Sequence, residues 1–590
     1  MIRRGLAPLA VAGLTAAVFM PTLSGSFLNW DDNVNFLDNP AYRGLGREQL
    51  RWAFTSVSFG HYIPLTRLTW SLNWALGGTD PWGYHLVNVL VHAANALLFY
   101  FVARRLLAAA SADGAQAGRR GHDFCAAAAV AALAFGVHPL RVEPVAWISG
   151  RADLLCAFFV LLTAWTYLRA VETAGPARRG LILVAAITLA AALLSKGAAL
   201  PFAGALLLLD VYPLRRLRRL GVWPLVREKI PLLLVTLAGV GGVIYGVRHG
   251  AVLTQISEHG GLARLAAAAH SFLIAPFRAI WPASLSPLYE MPVRISPLEP
   301  RFALALAGVV LVTAVLIGLR GRWPGGLAAW LFSVLMLAPT SAVVRQGADL
   351  APDRYTYLSG MGLAVLVGGA ALGVIRLVRR GILTRIMGRS ATAAALIALL
   401  GLGITSWSYG QVWRESETLW RWAVELDPDC SVCHGKLGES ALGGPGGQTR
   451  VVEAEGLFRR AIALRPDLPD AYYNLGTALV LQGRYAEAEA PLRSYMERAP
   501  WSASGPERLG LVYLLERRYE AAVPLLQSAF VRKPDAPDLR RYLIQALEGQ
   551  AQALQAQGRG GEADTVLAEM RTLSAASREA APESRQSPRP

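Results

Sequence analysis

Charge is scarce in this 590-residue chain: 17% of residues are Asp, Glu, Lys or Arg, 54% are hydrophobic, and the mean hydropathy is +0.36. So much apolar surface with so little charge needs lipid as solvent, which excludes a single soluble globular domain and a disordered chain. Cysteine is scarcer still, and four of them exclude a disulfide scaffold. Acidic residues are outnumbered 41 to 58, giving a net charge of +17. Such an excess marks either nucleic-acid binding or loops retained on the cytoplasmic side of a membrane.

Long apolar runs are present as far as about Gly410 and absent beyond it. Bilayer-length helices need about 17 to 25 apolar residues. Spans are expected at 5–24, 84–106, 123–139, 152–169, 180–195, 197–212, 231–247, 302–319, 326–340, 357–377 and 391–410. The first follows Arg3 and Arg4 like a signal peptide, but no clear A-x-A cleavage site comes after it, so an uncleaved anchor is expected. Residues 262–281 are interrupted by Arg264, His270, Pro276 and Arg278 and are expected to lie at the interface. With eleven spans and the N-terminus inside, the cytoplasmic segments hold about 22 basic and about 5 acidic residues, the opposite segments about 14 and about 12. A twelfth span at 262–281 would move the Arg320 and Arg376 clusters outside and spoil this positive-inside asymmetry. The net charge is therefore topological, and no nucleic-acid partner is expected.

From about Arg414 the composition becomes that of soluble helices. Pro466, Pro500 and Pro534 recur every 34 residues, as do Gly476 and Gly510, Arg484 and Arg518, Tyr485 and Tyr519, and Ala488 and Ala522. That period fits tetratricopeptide repeats, whose stacked helix pairs present a concave surface to peptides. Pro428 and Gly438 begin an earlier repeat with a Gly-rich insertion, and a degenerate fourth unit runs to about 570. The expected fold is all-α: a polytopic helix bundle over 1–413, an extracytoplasmic repeat solenoid over 414–574, and a disordered tail over 575–590.

Four polar segments fall on one predicted side of the membrane. WDDNVNFLDNP carries Asp31 and Asp32, whose mutual repulsion suits a general base or a divalent-cation ligand, and equally an ordinary solvated turn. VHPLRVEPVAWISGRADLL carries His138, Arg141, Glu143, Arg151 and Asp153, either a functional cluster or an ion-paired helix end. Lys196 sits in a Ser-Lys-Gly break between two spans, where a lysine can also simply snorkel. RQGADLAPDRYTYLS carries Arg345, Asp349, Asp353 and Arg354, and arginine suits phosphate. In the repeat region, CSVCH at Cys430, Cys433 and His434 can close a disulfide; it also meets the c-type haem pattern, and zinc would need further ligands.

Taken in order, WDDNVNFLDNP, YIPLTRLTWSLNWALGG, GYHLVNVLVHAANALL, VHPLRVEPVAWISGRADLL, the Ser-Lys break and DRYTYLS, followed by tetratricopeptide repeats, resemble the transmembrane and tetratricopeptide-repeat (TMTC-like) O-mannosyltransferases and their bacterial relatives, of the GT-C class. The resemblance covers about 5–570. It implies a glycosyltransferase of the cell membrane that moves mannose or a similar hexose from a polyprenyl-phosphate donor to Ser or Thr hydroxyls of extracytoplasmic proteins, with the repeats binding the acceptor. It further implies Asp31 and Asp32 as catalytic carboxylates and His138, Glu143, Arg151, Lys196 and Arg354 around the lipid phosphate. The family usually has Glu after this Ser-Lys, where the chain has Gly197. The adjacent carboxylates permit a divalent cation as cofactor, which would fall to Asp31 and Asp32, though some members of the wider class need none. Alternatives from the residues are a surface-polysaccharide polymerase or ligase, and a non-catalytic repeat scaffold.

Overall fold

The computed structural model describes residues 2–111, 121–249, 260–341, 349–444 and 447–579. Two compact units divide between Leu426 and Asp427. Both are helical; among the described residues the β content is two isolated bridges, Ser58 with His61 and Glu290 with Asp349.

Among the described residues of the first unit seven helices are long and apolar enough to cross a membrane: Pro81–Ala110, Ile148–Glu172, Gly175–Ser195, Val222–His249, Pro300–Gly318, Asp353–Arg379 and Arg385–Val412. An eighth is made by Gly121–Gly136 and Pro139–Ala146, bent by 59°. Three shorter apolar helices, Leu6–Val18, Gly197–Val211 and Pro324–Thr340, occupy the remaining expected spans. Proline sets several of these limits, because its missing N–H and fixed φ stop a helix. Pro21 turns the first run into a 3-10 turn at Met20–Ser24, and Pro139 sits at the bend. Pro81 opens its helix at a position that needs no donor, with the Asp80 carboxylate accepting from Trp82 N at 3.0 Å.

Bends in an apolar medium orphan backbone carbonyls, and these must be satisfied internally. The Pro81–Ala110 helix does this with a buried polar stripe at helical spacing, Asn88, His92 and Asn95. Asn88 donates to the carbonyls of Val145 (3.2 Å) and Trp147 (3.1 Å). His92 shares hydrogen bonds with Gly136 O (2.8 Å) and Tyr357 Oη (2.6 Å), and Asn95 donates to Leu154 O (2.9 Å) and Tyr357 Oη (3.0 Å). One helix thereby fixes the bent pair and the starts of two others.

Gly261–Ile280 lies along the end of the bundle where the Asp353–Arg379 helix starts. Ala266 and Ala267 pack with Phe302 and Leu350, Ser271 donates to Leu350 O at 3.0 Å, and Arg278 donates to Ala351 O at 2.7 Å. All these partners sit at or before the first turns of Pro300–Gly318 and Asp353–Arg379. The opposite end is tied by Arg105 to Glu172, by Arg379 to Asp123 at 2.6 Å, and by a buried network in which Asp210 receives Arg216 (2.9 Å), Lys229 and the Tyr167 hydroxyl (2.7 Å). Asp210 and Lys229, on separate helices, are both fully buried, so removing either partner would strand a charge.

The expected domain limit at 413 moves. Ser416–Leu426 belongs to the first unit because Trp420 Nε1 donates to Asn29 Oδ1 (2.6 Å) and Trp422 Nε1 to Leu285 O (2.9 Å).

The second unit stacks four helix pairs from Ser431–Gly443 to Gly560–Glu579. The repeated glycine is a packing device: a Cβ would come within 2.6 Å of Phe458 at Gly438, 2.6 Å of Leu492 at Gly476 and 2.7 Å of Leu526 at Gly510. Cys430 and Cys433 form a disulfide at the start of Ser431–Gly443, where Cys430 Sγ accepts from Cys433 N at 3.2 Å. His434 Nε2 meets Pro428 O at 3.0 Å. The helix reaches Glu579, inside the segment expected to be disordered, and 580–590 lie outside the described residues.

Candidate functional site

Residues 28–37 form a tight turn leading into a single π-type turn, Asn33–Leu37. Its Phe36 anchors an aromatic cluster with Tyr42, Trp70, Tyr84 and Ile148. That anchor holds Asp32 on the 147–151 turn between two membrane helices, with Asp31 next to it in the chain. Asp32 is fully buried, and both of its oxygens are used: Oδ2 accepts from Leu28 N at 3.0 Å, and Oδ1 from Ser149 Oγ at 2.6 Å and Ser149 N at 3.1 Å. Burial, reinforced by the neighbouring Asp31 charge, pushes its pKa up to about 7 against the pull of these donors. Asp31 is half-buried, and its carbonyl accepts from Asn35 N at 2.9 Å. The two carboxylates therefore differ: Asp32 holds the turn, and Asp31 is the more accessible.

Arg354 reaches the same place from the start of its helix. It pairs with Glu143 through Nη1 and through its backbone N, the latter at 2.8 Å, and lies 3.5 Å from Asp349. Its guanidinium is 5.9 Å from the ring of Trp30, 5.4 Å from Trp147 and 5.1 Å from Tyr355, so aromatic faces wall the cation in. Trp30 precedes Asp31 and stacks 4.9 Å from Trp420. Lys196 also borders Tyr355, with Nζ 5.8 Å from that ring and 2.6 Å from Asp153 Oδ2. Beside them Arg278 stacks 3.4 Å from the Tyr289 ring and pairs with Asp353 at 3.2 Å. Burial pushes Asp349 up to about 7, with Arg354 opposing and Glu143 adding to the rise.

Two of the expected phosphate ligands face inward. Arg151 is fully buried and donates to Asn88 Oδ1 (2.8 Å), Tyr84 O (2.7 Å), Thr69 O (3.4 Å) and Asn73 Oδ1. His138 spends both ring nitrogens on backbone: Nδ1 accepts from Leu140 N (3.1 Å) and Nε2 donates to Ala279 O (3.0 Å). Their geometry pins the turn that carries Ser149 and the bend that carries Glu143. Arg345 lies outside the described residues.

Among the described residues no three His, Cys, Asp or Glu side chains converge as a ligand set. A Cβ at Gly197 would sit 2.8 Å from Val243 Cγ2, so a side chain at this position requires Val243 to shift.

Trp30, Trp147, Ser149, Arg278 and Tyr289 were not singled out from the sequence as site residues. Trp147 and Ser149 lie inside VHPLRVEPVAWISGRADLL, and Trp30 begins WDDNVNFLDNP, so their motifs held the signal. Arg278 and Tyr289 lie in a segment with no motif at all.

Comparison with known proteins gives two kinds of match. Residues 457–490 match the family description "Tetratricopeptide repeat". The chain is similar to protein O-mannosyl-transferase TMTC2 of Mus musculus, 30% identical over 234 residues, which are 38% of this chain and 26% of that protein. It is 37% identical to protein O-mannosyl-transferase TMTC4 of Homo sapiens over 28% of this chain and 23% of that one, and 34% identical to human TMTC2 over 30% and 20%. The matched stretches thus span about a quarter of these relatives' length. Among solved structures, a MamA protein is 18% identical over 29% of this chain and 86% of its own, with a TM-score of 0.23. The chain is therefore a membrane protein with tetratricopeptide repeats whose sequence relatives are protein O-mannosyl-transferases of the TMTC type.

Proposed function

We propose that the chain is a membrane O-mannosyltransferase, or transfers a similar hexose, from a polyprenyl-phosphate carrier to Ser or Thr hydroxyls of proteins held by the repeats. The observation that carries this reading is that the turn bearing the half-buried Asp31 lies beside an aromatic-walled cation, since the ring of the preceding Trp30 is 5.9 Å from the Arg354 guanidinium. Relatives named protein O-mannosyl-transferase support it.

In this mechanism Asp31 takes the proton of the acceptor hydroxyl as its oxygen attacks the anomeric carbon. The bond from that carbon to the phosphate oxygen breaks, and the electron pair leaves with the lipid phosphate. Lys196 and Arg354 stabilise the charge that develops there. Lys196 is the better placed of the two, since its ammonium has one carboxylate partner, Asp153, and retains further N–H donors. Asp32, Glu143, Arg151 and His138 act as positioning residues. The acidic pair, Lys196 and the repeats lie outside the cytoplasm, in a bacterial cell membrane.

The test is in vitro transfer from a polyprenyl-phosphate hexose to a Ser/Thr peptide, read by mass spectrometry. Asp31→Asn should lower transfer by at least about 100-fold, the usual worth of a general base. Unchanged transfer in both Asp31→Asn and Asp32→Asn would sink the mechanism.

A further inference from the structure

Between the Pro81–Ala110, Ile148–Glu172, Phe202–Val211, Pro324–Leu337 and Asp353–Arg379 helices lies a cavity of about 530 Å³. It is well within the range of about 300–1,000 Å³ for ligand pockets. Its walls are apolar, among them Phe99, Leu107, Phe332, Val365 and Leu372. Its mouth carries two cations, Arg322 and Arg376, beside Trp323 and Ser111. Arg376 donates to Ser111 Oγ at 2.9 Å and has no carboxylate partner among the described residues, unlike Arg379, which takes Asp123. Arg322 is exposed, and its guanidinium has no ion pair among the described residues.

An apolar slot ending in two guanidinium groups that have no ion pair among the described residues is the complement of an anionic amphiphile. The wall runs from Met361 to Arg376 on one helix, about 22 Å at ~1.5 Å per residue. One leaflet of hydrocarbon is about 15 Å deep, half of the ~30 Å core, so the slot takes one acyl chain with its phosphate at the mouth. We propose that this cavity binds an anionic phospholipid of the bilayer, one acyl chain inside and the phosphate between Arg322 and Arg376.

This lipid is not the sugar carrier of the proposed reaction. Arg354 and Arg376 lie on one helix with 22 residues of rise between them, about 33 Å at ~1.5 Å per residue, so a phosphate at the mouth is a hydrocarbon core away from Asp31. The trait is therefore independent of whether the chain transfers sugar.

Full-length protein purified in detergent is mixed with phosphatidylglycerol or phosphatidylcholine and examined by native mass spectrometry. The wild type should retain one phosphatidylglycerol at a concentration where phosphatidylcholine is retained about tenfold less. The Arg322→Gln, Arg376→Gln double variant should lose that preference, again by about tenfold. Gly369→Leu should abolish retention of both lipids with the arginines intact, because a Cβ there meets only Leu107, at 3.8 Å, and the longer side chain enters the slot. Asp31→Asn should retain phosphatidylglycerol like the wild type. Equal retention of the two lipids, an unaltered preference in the double variant, unaltered binding in Gly369→Leu, or a co-purifying polyprenyl phosphate in place of phospholipid would each overturn the assignment.

Discussion

Asp32 gives the residue scale its sharpest consequence. Its folded pKa of about 7 lies above the ordinary value of 3.8, so between those values the folded chain holds a proton that the unfolded chain releases. Stability contributed by that protonation is complete below about pH 4 and is lost as the pH rises toward 7. Asp349, also raised to about 7, adds a change of the same sign. Thermal unfolding in detergent should therefore show a fall in Tm from pH 5 to pH 8, with a shallower slope in Asp32→Asn. Ser149 offers a second readout. Its hydroxyl lowers the Asp32 pKa, so Ser149→Ala raises it and should move the acid limb of the transfer pH profile to higher pH. A limb that stays in place would mean that Asp32 need not be ionised in the active enzyme.

At the scale of the element, the polar stripe of Pro81–Ala110 explains how a bent membrane helix is tolerated beside the site. Asn88 satisfies two carbonyls with its Nδ2 and Arg151 Nε with its Oδ1. Asn88→Leu takes this partner from the buried Val145 carbonyl and Arg151 Nε, at about 1–3 kcal/mol each, while Trp147 O keeps Gly150 N at 3.0 Å; it should lower the Tm and transfer together while Asp31 is untouched. Transfer that falls with no loss of Tm would overturn this structural account. The helices themselves were legible in the sequence because hydropathy reports composition, and the repeats because a glycine every 34 residues faces a bulky neighbour, Leu492 or Leu526. What composition does not carry is where a helix bends or stops short. The run at 5–24 ends early through Pro21, and Ser416–Leu426 joins the first unit through two indole hydrogen bonds that no periodicity announces. The site was legible as motifs on one side, but the division of labour inside it was not. Arg151 looks like a phosphate ligand in sequence, and only its four inward hydrogen bonds show where its donors go.

At the scale of the whole molecule, the functional reading depends on sidedness. Helices alternate in direction, so the end holding Asp32, Lys196 and Arg354 is opposite the end holding Arg216, Arg322 and Arg376. The basic excess of the latter assigns it to the cytoplasm under the positive-inside rule. The alternation also brings the chain out at the Asp32 end after Arg385–Val412, immediately before the repeats begin. A donor phosphate, the carboxylate pair and a protein acceptor can meet only if this assignment holds. Single cysteines at Leu45, at Trp501 in the repeats and at Leu220 test it, since all three side chains are exposed. The background should carry Cys430→Ser and Cys433→Ser, leaving Cys125 and Cys156 within membrane helices. An impermeant maleimide added to intact spheroplasts should label the Leu45→Cys and Trp501→Cys proteins and spare Leu220→Cys until the membrane is permeabilised. Protection of Trp501→Cys with labelling of Leu45→Cys would separate the repeats from the carboxylates by a bilayer and remove the protein acceptor from the proposed reaction.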